Sequence, residues 1–78
     1  MSEHLIATIE KNRTEQIRVS LAHFSGHDIC SVRVFFEADD GTWRPSPKAG
    51  LAFKVDKLPG LVEALTQAVA KAQELGQL

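Results

Sequence analysis

The chain has 78 residues, of which 44% are hydrophobic and 24% are charged, and its formal net charge is −1. This composition is typical of a soluble globule and excludes a strongly basic protein that binds nucleic acid through bulk charge. The length allows one domain, residues 1–78, and the single cysteine excludes an intrachain disulfide. Because so small a chain is marginally stable alone, we expect oligomerisation to stabilise it.

The sequence also predicts where the protein resides. No apolar run approaches the ~20 residues that cross a bilayer. The first residues, MSEHLIATIEKN, lack the basic and apolar regions of a secretory signal. An unpaired cysteine suits a reducing compartment. We therefore expect a cytoplasmic protein, with association with the nucleoid compatible with that location.

The first two predicted elements are strands joined by a polar connection at residues 11–14. Their apolar residues recur with a period of two: Leu5, Ala7 and Ile9 in the first strand, and Ile17, Val19 and Leu21 in the second. Phe24 has the opposite parity from the apolar residues of the second strand. Either a bulge near His23 shifts the register, or Phe24 lies on the polar face, where a partner can reach it.

A turn at residues 25–28, in which Gly26 supplies a positive φ, leads into the third strand. Its two faces are Cys30, Val32, Val34 and Phe36 on one side, and Ser31, Arg33, Phe35 and Glu37 on the other. Residues 39–41, Asp-Asp-Gly, predict a hairpin, after which Trp43 opens the fourth strand. Pro45 and Pro47 require that this strand runs along an edge or leaves the sheet briefly.

One amphipathic helix follows, with Asp56 as the predicted N-cap, Pro59 in the first turn and Gly76 as the C′ residue. Its apolar stripe consists of Leu58, Leu61, Val62, Leu65, Val69, Ala72 and Leu75. The predicted fold class is α+β, a four-stranded antiparallel sheet followed by one C-terminal helix. Since one helix cannot cover both sheet faces, the uncovered face is polar, or it binds a partner, or a second subunit covers part of it. The commonest solution is a two-fold homodimer, in which the stripe contacts the sheet and a twin helix together.

The sequence carries no signal of an enzyme, a cofactor or a metal site. The glycines are dispersed, so there is no phosphate-binding loop, and no nucleophile motif is present. His4, His23, His27 and Cys30 do not have a recognisable zinc spacing. We expect Cys30, on the apolar face of the third strand, to be a small core residue.

Aromatic and basic residues are interspersed among the predicted strands over residues 17–53. Aromatic rings stack on exposed bases and basic side chains contact phosphates, so this combination indicates a surface for unpaired nucleic acid. Residues 11–54 carry seven basic and five acidic residues, a local charge of +2 that the whole chain does not show. The alternative interpretation is ordinary solvated charge scattered over the surface.

Three segments carry a resemblance to a known family: IRVSLAHFSG, VRVFF, and DDGTWRPSPKAGLAF running into the helix. In this order they resemble the positive cofactor 4 family of transcriptional coactivators, small proteins that bind single-stranded DNA, and especially its compact bacterial members. The resemblance covers Ile9 to near Val69. It implies a strongly curved sheet, a homodimer built through the C-terminal helices, and binding of single-stranded DNA with little sequence preference, in transcription regulation or genome maintenance.

The resemblance also implies the binding residues. Phe24 and Phe36 match stacking aromatics; Arg33, Arg44 and Lys48 match basic residues that contact phosphates; and Trp43 adjoins them. Ser25 and His27 stand where the family often has lysines, which predicts weaker and more salt-sensitive binding. The implied partners are single-stranded DNA or RNA, a second copy of the chain, and transcription or repair proteins.

Two points stay open at the level of sequence. Phe36 has the parity of the core, so its exposure requires sheet curvature or a bulge. The near-neutral net charge also favours a rival function, a small dimeric protein-interaction module with the same fold and little nucleic-acid binding. A continuous positive track across the sheet distinguishes the first function from the rival.

Overall fold

The computed structural model describes residues 3–78 and contains one antiparallel sheet followed by a helix. The elements are β1 (Glu3–Glu10), β2 (Glu15–Phe24), β3 (His27–Glu37), β4 (Trp43–Lys54), a 3₁₀ turn (Val55–Lys57) and α1 (Leu58–Glu74). The strands form a meander in the order β1-β2-β3-β4. The predicted α+β class and element order are therefore confirmed. No helix in the described part of the chain is long and apolar enough to cross a membrane.

The pairing of β2 with β3 sorts the side chains onto two faces, since directly paired residues share a face. Ten consecutive pairs run from Glu15–Phe36 to Phe24–His27 without a register shift. The apolar face carries Ile17, Val19 and Leu21 of β2, Cys30, Val32 and Val34 of β3, and Leu51 and Phe53 of β4. The opposite face, here called the basic face, carries Arg18, Ser20 and Phe24 of β2, Ser31, Arg33 and Phe35 of β3, and Trp43 and Pro45 of β4.

A tight hairpin places Phe24 on the basic face. Ser25 and Gly26 both have positive φ, 50° and 76°, as the two central residues of a type I′ turn do. The turn is therefore shorter than predicted, because His27 and Asp28 already belong to β3. No bulge shifts the register near His23, so the second of the two alternatives for Phe24 is correct.

Strand β1 departs from strict alternation. Leu5 pairs with Ser20 whereas Ala7 pairs with Val19, so Ile6 is an extra residue in the ladder. This bulge puts Leu5 on the basic face, opposite to Ala7. The prediction that Leu5, Ala7 and Ile9 share one face is wrong for Leu5.

Strand β4 lies at an edge of the sheet and contains a four-residue bulge. Arg33 pairs with Gly50 and Phe35 with Pro45, so residues 46–49 stand opposite the single residue Val34. Pro47 lies within this bulge, where it need not donate to the ladder. The two predicted alternatives, an edge position and a brief departure from the sheet, both occur in β4.

The helix ends as predicted but begins differently. The N-cap residue is Lys57, with no side-chain capping hydrogen bond. Asp56 lies inside the preceding 3₁₀ turn, so the predicted Asp56 N-cap is wrong, because the chain is already helical there. At the other end Gly76 N–H donates to Gln73 O at 3.1 Å and Gln77 N–H to Ala72 O at 2.8 Å. These two bonds form a Schellman motif with Gly76 as the C′ residue.

Little of the described chain is buried. Among residues 3–78, Cys30 is the only fully buried hydrophobic residue, which confirms its core position. No residue of α1 is buried, and Leu65 in its apolar stripe is 56% exposed. The 3₁₀ turn, rather than the body of α1, lies against β3. The expectation that the stripe packs on the chain's own sheet is therefore wrong, since the helix leads away from it.

The dimensions agree with this open arrangement. The radius of gyration is 14.5 Å, whereas a compact domain of this length has about 11.5 Å. The accessible surface is 6065 Å², whereas a folded monomer of 8.6 kDa exposes about 4,700 Å². The chain thus leaves an apolar sheet face and an apolar helix stripe without a cover.

Gly50 is required by the close approach of β4 to β3. A Cβ atom at this position would lie 2.9 Å from both the Arg33 Cα and the Val32 carbonyl oxygen. We expect Gly50→Ala to lower the free energy of unfolding by about 1–3 kcal/mol, because backbone atoms cannot move aside as a flexible side chain does. Thermal unfolding measures the change.

Gly60→Ala is the matched control, since Gly60 lies in α1 and a Cβ there meets nothing within 4 Å. The same substitution in an open helical position should raise stability by up to ~1 kcal/mol. Equal effects of the two substitutions would contradict the steric argument.

Candidate nucleic-acid interface

Two arginines stand side by side in the middle of the basic face. Arg18 in β2 and Arg33 in β3 are direct cross-strand partners, which places their Cβ atoms about 5 Å apart. Both are half-buried. The basic face therefore concentrates positive charge at one point, although the chain as a whole is nearly neutral.

Each guanidinium is held by neutral groups. Arg18 Nε and Nη2 donate to the Gln16 amide oxygen at 3.3 and 3.2 Å. The Arg18 guanidinium also lies over the Phe35 ring, 4.4 Å from its centroid. Arg33 Nη1 donates to the Ser46 carbonyl oxygen at 3.0 Å, which satisfies a backbone group of the β4 bulge. Arg33 therefore also stabilises the edge strand.

A concavity of about 390 Å³ lies beside the two arginines. Its lining comprises Arg18, Ser20, Ser31, Arg33, Phe35, Pro45 and Glu3. Ser20 and Ser31 are direct cross-strand partners, so two hydroxyl groups adjoin the two guanidinium groups. The surface thus offers hydrogen-bond donors, positive charge and an aromatic ring together, which are the groups that bind a nucleic-acid strand.

A second concavity, of about 300 Å³, is lined by His4, Leu21, Ala22, His23, Asp28 and Val55. His23 Nδ1 and Asp28 Oδ1 lie 2.8 Å apart, on exposed side chains. Residues 3–78 contain no group of three or more side chains placed to hold a metal ion. The lining of this second concavity contains no lysine or arginine, and its one carboxylate, Asp28, is unfavourable to an anion.

Three of the six predicted binding residues lie on the basic face. Phe24, at the end of β2 and opposite His27, is 59% exposed. Arg33 lies at the centre, as described. Trp43 is half-buried at the start of β4, opposite Glu37. The structure therefore brings one exposed ring and one central arginine onto the surface that also holds Arg18.

Two predicted residues lie on the other face. Phe36 and Arg44 are cross-strand partners on the apolar face, and Phe36 is 38% exposed. The bulge needed to turn Phe36 outward is absent from β3, which keeps its register with β2. Lys48 is exposed in the β4 bulge. The roles that the resemblance implies for these three residues stay predictions.

Sequence reasoning missed Arg18 and Phe35 as site residues. Both have the parity of the polar face, Arg18 with Phe24 in one strand and Phe35 with Arg33 in the next. The signal was therefore present in the alternation itself. The resemblance to the family does not include these two residues.

Arg44 is tied to the β3–β4 hairpin. Its Nη2 donates to Asp40 Oδ2 at 3.1 Å, and its Nε donates to the Thr42 hydroxyl at 3.3 Å. The Thr42 hydroxyl donates to Asp40 Oδ1 at 2.6 Å and the Thr42 N–H at 3.0 Å. These bonds hold the pKa of Asp40 below its ordinary value. The hydrogen bond from the Thr42 hydroxyl lowers the pKa most, followed by the bond from the Thr42 N–H and then the bond from Arg44.

This lowered pKa predicts how the hairpin responds to acid. Because folding favours the ionised carboxyl, its stabilising effect is complete above the ordinary Asp pKa of 3.8 and is lost as the pH falls through the lower folded value. We therefore expect the stability difference between wild type and Asp40→Asn to narrow as the pH falls below 3.8. Thermal unfolding of both proteins across this range tests it, and a constant difference would contradict it.

Known proteins share this sequence pattern and fold. Residues 11–64 match the family model described as Transcriptional Coactivator p15 (PC4). A PC4 homolog from Burkholderia pseudomallei K96243 is 26% identical in its orthorhombic crystal form, with a TM-score of 0.78 over 87% of this chain and 90% of that one. Its tetragonal form gives the same identity and TM-score over 98% of that chain.

A bacteriophage T5 homolog of the eukaryotic transcription coactivator PC4, implicated in recombination-dependent DNA replication, has the same fold. It is 22% identical, with a TM-score of 0.74 over 99% of this chain and 88% of that one. No curated protein sequence matches the chain. Because the family model matches well over half of its residues, the chain belongs to the transcriptional coactivator p15 (PC4) family.

Proposed function

We propose that the protein binds single-stranded DNA across the basic face, as a homodimer and with little sequence preference. The observation that carries this proposal is the basic face itself, where two neighbouring arginines without acidic partners share a surface with the exposed ring of Phe24. Membership of a family of transcriptional coactivators supports it. The function is one of binding rather than catalysis.

The chemistry of the face favours an unpaired strand over a duplex. An exposed ring stacks on a base only where the base is not already stacked and paired, and each such contact contributes ~1–3 kcal/mol. Arginine and serine side chains contact phosphates and sugars, which are common to all sequences. Because stacking and contacts with phosphates and sugars do not depend on the identity of the base, we infer little sequence preference.

The proposed homodimer follows from surface that the single chain leaves exposed. The accessible surface of the chain exceeds that of a compact monomer by about 1,400 Å². If two chains bury this excess against each other, the buried area is on the order of 2,800 Å², which lies in the range of obligate homodimer interfaces. The helix stripe is the most apolar uncovered element, with Val62, Leu65 and Val69 about half exposed. We infer that α1 of one copy packs against the second copy.

The cellular process is a broader part of the proposal. The family description names transcription, and the phage T5 homolog is implicated in recombination-dependent DNA replication. Transient single strands occur in both processes. We therefore propose a role in transcription regulation or genome maintenance, in which transcription or repair proteins are further partners.

The test of DNA binding is a titration of a fluorescent oligo-dT strand, read by anisotropy, against wild type and Phe24→Ala. We expect wild type to prefer the single strand over a duplex of the same length. Removing the Phe24 ring should weaken binding by about 5–150-fold, the equivalent of ~1–3 kcal/mol, without changing the salt dependence.

Phe36→Ala removes a ring of the same size from the apolar face and provides the comparison. If only Phe24→Ala weakens binding, the bases stack on the basic face. If both substitutions weaken binding equally, both rings contact the bound strand. Binding that is negligible at low salt, or equal for duplex and single strand, would reject the proposal and favour the protein-interaction module.

The test of the homodimer is sedimentation equilibrium of wild type, Leu65→Asp and Gln67→Asp. We expect wild type to have twice the chain mass of 8.6 kDa. A carboxylate at Leu65 would be buried unpaired in the interface and should dissociate the dimer. Gln67 lies on the opposite side of α1, so the same charge there should leave the mass unchanged. A monomeric wild type would overturn the proposal.

A further inference from the structure

We propose that Arg18 and Arg33 form a clamp for one phosphate of the bound strand, and that Phe35 is a positioning residue that holds the Arg18 guanidinium in place. This inference rests on the proposed function, since it names the group of the ligand that the centre of the basic face recognises. That group is a phosphodiester of the nucleic-acid backbone.

The pairing of the two arginines is unfavourable without a ligand. Like charges directly opposite each other on one sheet face destabilise it, and half-burial reduces the screening by water. A neutral residue at either position would remove the repulsion, but the register places the two arginines directly opposite each other. A bound anion between the two side chains converts this repulsion into two attractions.

No acidic side chain in the described part of the chain neutralises either arginine. The ion pairs there involve Lys11, His23, Arg44 and Lys71 instead. Arg18 is bonded to an amide oxygen and Arg33 to a carbonyl oxygen, and each keeps most of its five N–H donors free of protein acceptors. Guanidinium groups with free donors bind phosphate oxygens in bidentate geometry.

The neighbouring groups suit a phosphate rather than a base. The adjoining hydroxyls of Ser20 and Ser31 add donors, and they line the same concavity of about 390 Å³ as the two arginines. Glu3 is the one acidic residue of its lining, and it makes no ion pair with either arginine. We therefore expect Glu3 to weaken binding.

Phe35 acts through Arg18. The guanidinium covers the ring at 4.4 Å, so that face of the ring is not available to stack on a base. The contact instead fixes the position of a long, flexible side chain. This separates the role of Phe35 from that of Phe24, whose ring is exposed.

The experiment compares two strands of equal length, oligo-dT and an abasic strand that keeps the phosphates and lacks the bases. We expect Arg18→Gln to weaken binding of both by about tenfold at low salt, and to reduce the slope of log K against log salt by about 0.7, the value for one phosphate of a single strand. Arg13→Gln, which removes the same charge from the turn between β1 and β2, should change affinity less than about twofold.

Three further variants separate charge from position. Arg18→Lys should keep the salt slope and lose part of the affinity, because a lysine cannot make the bidentate contact. Phe35→Leu should weaken binding with the salt slope retained, and Phe35→Tyr should restore it, since a phenol ring preserves the contact with the guanidinium. Glu3→Gln should strengthen binding of both strands.

The outcomes distinguish this inference from the proposed function. Absence of wild-type binding to oligo-dT rejects the proposed function and the clamp with it. Binding by wild type with an unchanged affinity and salt slope in Arg18→Gln rejects the clamp alone. A loss seen with oligo-dT and absent with the abasic strand shows that Arg18 stacks on bases, which also overturns the clamp. Unfolding temperatures within a few degrees of wild type verify that each variant is folded.

Discussion

The unbroken register between β2 and β3 is the constraint on which the rest of the structure depends. Because ten consecutive pairs show no shift, every side chain of these two strands has a fixed face. One face receives the aliphatic residues at the centre of the sheet, and the other receives both central arginines and the rings of Phe24 and Phe35. A slip of one residue would exchange the two sets, so the basic face and the apolar face are specified by the same hydrogen-bond ladder.

The outer strands adapt to this central pair through bulges. Strand β4 leaves the ladder at residues 46–49 and rejoins it at Gly50, where only a glycine allows the backbone to approach Arg33. The same bulge supplies the Ser46 carbonyl oxygen that holds the Arg33 guanidinium. The irregular edge and the arginine at the centre of the basic face are therefore one structural unit, in which a substitution at Gly50 affects both.

The sequence predicts the parts of this structure that depend on local chemistry. The period of two, the hairpins at Gly26 and Gly41 and the C′ position of Gly76 each follow from a few neighbouring residues. The bulge at Ile6, the 3₁₀ turn before α1 and the path of the helix away from the sheet depend on contacts across the whole chain. For the candidate site, alternation puts Arg33, Arg18 and Phe35 on one face and leaves two positions open for Phe24. The resemblance to the family also selects Phe36 and Arg44, which lie on the apolar face.

A net charge of −1 is compatible with binding a polyanion when positive charge is concentrated at one point of the surface. The acidic residues that form ion pairs do so away from the basic face, with Lys11, His23, Arg44 and Lys71, and those pairs contribute little to the field at its centre. Arg18 and Arg33 keep their full charge at short range, where screening by salt is weakest. Under the proposed function, affinity depends on these few close contacts rather than on the net charge of the chain.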